Sequence, residues 1–197
     1  MDRQHLIKAA LKLGLDGALI VFSVLLAFFL NGYNEERGKQ ARTRTALQNI
    51  VAELKSNQQD VERVLGYHRQ VLQRLNEAAA QPLPPQASLF DVLARAAPEG
   101  LSPPALQTTA WETAQASGAL QNLKYEQSYL LSQAYRLQAT GVDSTWKAIR
   151  SSLDVQAFRP GVGVPDIRYL AFSFQELVAQ EEYLVAYYAS MLKKLPT

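Results

Sequence analysis

The chain has 197 residues, with 20 Lys and Arg against 18 Asp and Glu, two His and no Cys. A near-neutral balance excludes the basic stripe of a nucleic-acid binder, and the absence of cysteine excludes a disulfide framework, a thiolate metal site and a cysteine nucleophile. The length suffices for one membrane helix and a soluble domain of about 160 residues with a core of its own.

Residues 1–12 read as a short basic tail in which Lys8 and Lys12 can snorkel to lipid head groups. Residues 13–30 read as a transmembrane helix. From Gly17 to Leu30 there is no charge, and Ser23 carries the one hydroxyl. With Leu11 the apolar span is about 20 residues, the length a helix needs to cross roughly 30 Å of hydrocarbon. The run is too long for a secretory h-region, contains Asp16, and meets a poor cleavage site at Leu30-Asn-Gly32. An uncleaved anchor is therefore expected. Basic residues flank both ends almost evenly, Arg3, Lys8 and Lys12 against Arg37, Lys39, Arg42 and Arg44. A short basic tail ahead of a long domain favours a cytoplasmic N-terminus and a periplasmic domain at a bacterial inner membrane.

Asp16 is the sharpest residue of the anchor. A carboxylate in hydrocarbon costs at least ~2.5 kcal/mol, so it faces protein, water or a cation. Three readings stand: a head-group-edge residue neutralised by Lys12, a contact with another membrane helix, or a group that takes up and releases a proton. Ala10, Gly14 and Ala18 recur at every fourth position, the spacing that lets two membrane helices approach closely.

Residues 31–80 are expected to continue as one long helix, since no proline interrupts them. From Leu47 the positions Leu47, Val51, Leu54, Gln58, Val61, Leu65, His68, Leu72 and Leu75 follow a 4-3 rhythm, a core-facing stripe with Gln58 and His68 as polar exceptions. Residues 81–104 form a proline-rich connection. Within it Ser88 caps a short helix from Leu89 to Ala97, and Ser102 and Pro103 are placed to open the next one.

Residues 105–197 supply the remaining bundle helices. Trp111 is expected in the core and Gly118 at a helix crossing or kink. Leu120, Leu123, Gln127, Leu130, Ala134 and Leu137 make a second stripe, with a kink or cap at Thr140–Asp143. Asp166 is expected to cap the last helix. Its stripe runs Ile167, Leu170, Phe174, Leu177, Glu181, Leu184, Tyr188, Met191 and Leu195. Glu181 breaks that stripe as His68 breaks the first, and a buried charge needs a partner: Gln58, His68 or an arginine. The patterns give an all-α protein, a single N-terminal transmembrane helix continuing into an antiparallel helical bundle. Two histidines so placed assemble neither a Ser-His-Asp triad nor a metal site, so no enzyme activity and no cofactor are expected.

The residues leaving the anchor carry a resemblance. Asn31, Asn34, Glu35 and Arg37, with Tyr33 where a tryptophan is usual, are similar to the exit motif of an uncharacterised family of small bacterial single-pass membrane proteins. Asp16 takes that family's acidic place. Residues 46–57, Tyr67-His-Arg69 and Ala110-Trp-Glu-Thr-Ala114 with Gly118 resemble its later segments. The resemblance implies a membrane protein with a helical domain and brings no activity. Asp16 near the start of an apolar helix also resembles the single-helix subunits of proton-driven stators, although those usually end in a mixed α/β domain. The expected function is an assembly or accessory subunit, self-associating or part of a larger membrane complex. Its partners would be the lipid bilayer and other membrane proteins, with no nucleic acid. A proton-translocating subunit using Asp16 and a ligand-sensing periplasmic bundle are the alternatives.

Overall fold

The structure is a computed structural model that describes residues 3–156 and 164–195, and gives the backbone alone for residues 3–13, 16, 154–156 and 164. The described residues form helices, turns and one extended segment, with no β-strand among them. The chain divides into two compact units between Thr45 and Ala46.

The first unit is the N-terminal part of α1 (Arg3–Ala79). Helix begins at Arg3, so the basic tail is not a separate segment from the apolar run. Gly14, Gly17 and Gly32 lie within the helix, and a Cβ at any of them would meet nothing within 4 Å. Each costs about 1 kcal/mol of helix propensity against alanine, too little to break a helix that has no proline. The side chains of the apolar run point outward. Leu15, Leu19, Ile20, Val21, Phe22, Leu25, Phe28 and Phe29 are 59–71% exposed. Ser23 turns its hydroxyl back to the Leu19 carbonyl at 2.8 Å and so presents no free polar group.

The second unit is an all-α bundle with its own core. Its elements are α1 from Ala46, α2 (Leu89–Ala96), α3 (Thr109–Ala116), α4 (Tyr125–Leu137), a π-helical turn (Gln138–Val142), α5 (Asp143–Gln156) and α6 (Val164–Leu192). Residues 97–108, here called the strap, are extended or irregular. Cross-contacts fix the directions. Glu53 meets Tyr135 and His68 meets Trp146, so α4 and α5 run parallel to α1. His68 meets Glu181 and Arg69 meets Glu182, while Tyr188 lies against Asn57, so α6 runs antiparallel. The strap descends along α1 between them. The bundle is thus up-down-up-down, with an extended chain in place of most of its second rod.

On α6 the expected stripe is the buried one, residue for residue. Ile167, Leu170, Phe174, Leu177, Glu181, Leu184, Tyr188, Met191 and Leu195 are all buried. On α1 the deepest row is displaced by one position from the expected stripe at every second rung. Ile50, Leu54, Asn57, Val61, Val64, His68, Val71 and Leu75 are at most 2% exposed. Gln58 is therefore not the buried polar residue: it is half-buried and donates to Glu62 at 2.8 Å, while Asn57 is fully buried. Where apolar residues occupy both i and i+1, the rhythm alone does not fix which row faces the core. The row on α4 is displaced likewise, with Leu131 and Gln138 buried in place of Leu130 and Leu137. The expected kink at Thr140–Asp143 is the π-turn, whose extra residue appears as the four-residue steps from Gln138 to Val142 to Trp146. At its inner side a Cβ on Gly141 would lie 2.8 Å from Gln180 Oε1, so the glycine admits α6 at close range.

Three boundary expectations change. No helix opens at Ser102-Pro103. The residue before a proline is biased away from the helical region, and Ser102 and Pro103 each precede one. Ser102 takes a left-handed φ of 47° after Gly100 at 79°, and helix resumes only at Thr109. Gly118 is not at a helix crossing. Its φ of 69° ends α3, the usual left-handed stop just past the C-cap, here Ser117. Asp166, expected just before α6, lies inside its first turn, since the described helix already includes Val164. Ser88 caps α2 as expected and forms a capping box with Asp91, Asp91 N–H donating to Ser88 Oγ at 3.2 Å and Ser88 N–H to Asp91 Oδ2 at 2.8 Å.

Candidate functional site

An extended strap inside a helical bundle has backbone groups that no ladder satisfies, and buried groups of that kind must find side chains or water. Here α1 supplies the side chains. Residues 53, 57, 60, 67 and 74 fall on one 4-3 row, interrupted by Val64 and Val71, and each rung is polar. Arg74 Nη1 donates to the Ala96 carbonyl at 3.0 Å. The Tyr67 hydroxyl donates to the Gly100 carbonyl at 2.8 Å and accepts from Glu99 N–H at 3.1 Å. Asp60 accepts from Ala105 N–H. Asn57 makes a paired contact, Nδ2 to the Gln107 carbonyl at 2.8 Å and Gln107 N–H to Oδ1 at 2.9 Å. Glu53 accepts from Ala110 N–H at 2.7 Å and Trp111 N–H at 3.4 Å, capping the start of α3, and from the Tyr135 hydroxyl at 2.6 Å.

Electrostatics follow from this burial. Burial first, then Glu53, drive the Tyr135 hydroxyl far above its usual pKa, so it stays a donor. Burial would raise the Asp60 carboxyl, but Arg63 and the Ala105 amide outweigh it and hold it below its ordinary value. Trp111, half-buried, stacks on Tyr135 with ring centroids 5.0 Å apart and planes 15° apart, which closes the strap's lower end.

Beside this row two of the expected polar exceptions meet, and of the partners open to Glu181 (Gln58, His68 or an arginine) it is His68 that it faces. His68 and Glu181 are both 0% exposed, and His68 Nδ1 lies 2.9 Å from each Glu181 oxygen. Nε2 lies 3.1 Å from the Leu101 carbonyl on the strap. Trp146 and Phe174 meet the ring edge-on at 5.4 and 6.2 Å. Burial raises the Glu181 carboxyl above its usual value, and His68 draws it part of the way back. One residue further along each helix, Arg69 and Glu182 form a second pair in solvent, with the side chains 55% and 48% exposed.

The two other expected polar sites stand apart from this row. Asn31, Tyr33, Asn34, Glu35 and Arg37 are all exposed. Within α1, Glu35 pairs with Lys39 at 2.7 Å, and the Arg37 guanidinium lies 5.6 Å from the Tyr33 ring centroid. The Lys39 hydrogen bond lowers the Glu35 pKa. Of the membrane-helix set, Gly14 and Ala18 are exposed, while the side chains of Ala10 and Asp16 lie outside the described residues.

Glu53, Asn57, Asp60, Tyr67 and Arg74 were not singled out from the sequence as a set. Their signal is a polar row at heptad spacing directly beside an apolar one, on a helix otherwise read only for its apolar face. Two clefts lie on the bundle surface. One of about 220 Å³ is lined by Leu101, Pro103, Asp143, Trp146, Lys147 and Arg150. Another of about 260 Å³ lies between Arg74, Glu77 and the Pro82–Pro84 turn. Among the described residues no three metal-ligating side chains converge. No family model, curated protein or solved structure matches the chain.

Proposed function

We propose that this is a non-enzymatic, single-pass membrane protein that serves as an assembly or accessory subunit, with itself or within a larger membrane complex. One observation carries the reading. Within α1 an 18-residue window has a mean hydropathy of 1.7 and none of it is buried, while the described residues from Ala46 onward build a bundle with a core of its own. An apolar helix that its own domain does not cover belongs in lipid or against another helix. Gly14 and Ala18 stand exposed on that helix, and the anchor and its exit resemble the uncharacterised bacterial family described above. By the same likeness the membrane is a bacterial one, read as the inner membrane, and the short basic tail ahead of a long domain favours the bundle on the periplasmic side. The buried polar groups support a holding role rather than a catalytic one: His68, Glu181 and Asn57 are sealed from solvent and spend their hydrogen bonds on the strap and on each other.

Gentle detergent extraction of the tagged full-length chain, with cross-linking and identification of co-purifying proteins, tests this. A discrete homo-oligomer or a stoichiometric membrane companion is the expected result. A strictly monomeric, companion-free species sinks the proposal.

A further inference from the structure

We propose that the His68–Glu181 pair is a proton-held latch on the strap, closing residues 97–108 onto α1 most tightly at mildly acidic pH and loosening them as the pH rises. The inference concerns the bundle alone and does not depend on the assembly reading.

Hydrogen-bond geometry counts the protons. A carbonyl only accepts, so the contact to Leu101 requires a hydrogen on Nε2. The contact of Nδ1 with both carboxyl oxygens requires a second hydrogen between ring and carboxyl. The closed unit therefore holds two protons and is neutral, whether written as imidazolium and carboxylate or as imidazole and carboxylic acid. Removing either proton breaks a bond. Loss from Nε2 releases Leu101, and loss from the shared position sets a lone pair against a carboxylate inside a dry site.

Among the described residues the surroundings show no other charged hydrogen-bond partner for the pair. From α1 comes the Tyr67 ring at 6.0 Å, whose hydroxyl is already spent on Gly100 and Glu99. From α5 comes Trp146, flanked by half-buried Asp143 and exposed Lys147. From α6 come Phe174 and, turned outward to Arg69, Glu182. On the strap Glu99 is exposed. Burial favours the neutral form of the Glu181 carboxyl, and the His68 hydrogen bond opposes it. Released into water, a histidine loses its proton above about pH 6.5 and a glutamate gains one below about pH 4.3. Above about 6.5 opening thus releases a proton, and the opening constant rises about tenfold per pH unit while the closed pair keeps its two. Below about 4.3 opening takes a proton up, so the latch weakens there as well. Leu101 and Pro103 also wall the cleft beside Trp146, so opening the strap widens it.

Hydrogen exchange on the full chain in detergent micelles tests the latch. Exchange of the amides in residues 99–111 is measured by mass spectrometry between about pH 5.5 and 8.5 and divided by the intrinsic chemical rates. The expected opening constant rises up to about 100-fold from pH 6.5 to 8.5, while peptides from the middle of α6 change less. In Glu181→Gln the amide donates to Nδ1 of a neutral His68, whose Nε2–H still reaches Leu101. That variant should be flat above pH 6.5 and loosen below it, where the ring takes a proton. Tyr67→Phe removes a tie without a titrating group and should loosen the strap by one factor at every pH. A wild-type profile without pH dependence, α6 peptides rising in step with the strap, or a slope that Glu181→Gln retains would each overturn the proposal. Should Glu181→Gln not fold, the wild-type profile against Tyr67→Phe still decides it.

Discussion

The two ends of α1 are the same helix facing two different surroundings. In residues 15–30 every described large apolar side chain is at least 45% exposed, whereas in residues 50–75 the apolar row is buried almost completely. The backbone does not distinguish them, since both satisfy their peptide groups internally. The difference lies in which partners the side chains have. In the second unit α1 is a scaffold: one row packs against α6 and α5, and the row beside it holds the strap. In the first unit the described apolar side chains are exposed. A periodic apolar stripe marks a helix that its own fold will bury, and an all-round apolar surface marks one that it will not.

Breaking the scaffold end should have the largest effect. Glu53→Ala removes the acceptor for two amides and the Tyr135 hydroxyl. The expected loss is about 3–5 kcal/mol, because three donors are left unpaired at about 1–3 kcal/mol each. Urea unfolding followed by tryptophan fluorescence measures it, and a loss below about 1 kcal/mol would show that water replaces the carboxylate at little cost.

The same truncation at the two ends tests the comparison directly. Leu54, fully buried, should cost about 2–5 kcal/mol on replacement by alanine. Leu25, 62% exposed, should leave the unfolding midpoint of the bundle unchanged. Equal effects would mean that the two units share a core. In the anchor, charge rather than size decides. Val21→Arg should disfavour insertion by about 2.5–3.5 kcal/mol and shift the chain from the membrane pellet to the soluble or aggregated fraction. Unchanged membrane recovery would remove the anchor reading.

Two smaller effects sharpen the picture. Gly118→Ala places a side chain at φ 69°, beside Gln121, and should cost about 1 kcal/mol in a thermal melt. Arg69→Ala breaks an ion pair that stands in water one residue away from the buried one. Its cost should be about 0.2–1 kcal/mol and should fall with added salt.

How far the sequence could be read differs along the chain. The α6 row was legible as a stripe even though Ala171, Val178, Val185 and Leu192 run beside it, and Glu181 stood out as its one charge. On α1, branched apolar residues flank each other at 50–51, 64–65 and 71–72, so the rhythm was right, and Ile50, Val64 and Val71, which widen the stripe in the sequence, proved to be its deepest rungs in place of Val51, Leu65 and Leu72. The same one-position shift is why Gln58 was expected where Asn57 sits. The strap was not legible. Its irregular residues carry no period, and the polar row that holds it looks like the solvated side of an amphipathic helix until a backbone lies against it.

By itself the sequence determined the all-α class, the apolar segment, the proline breaks and the buried status of His68 and Glu181. These depend on local composition and on the 3.6-residue turn, which any window of the chain contains. Only the tertiary structure decided that His68 and Glu181 meet across 113 positions, and that five polar residues of α1 bond to the strap and to the helix ends that flank it. It also decided that Asn57 faces inward. Those facts depend on which helix faces are brought together. That choice is made by packing the whole bundle at once, where a one-residue phase costs little in helix propensity and a great deal in buried surface.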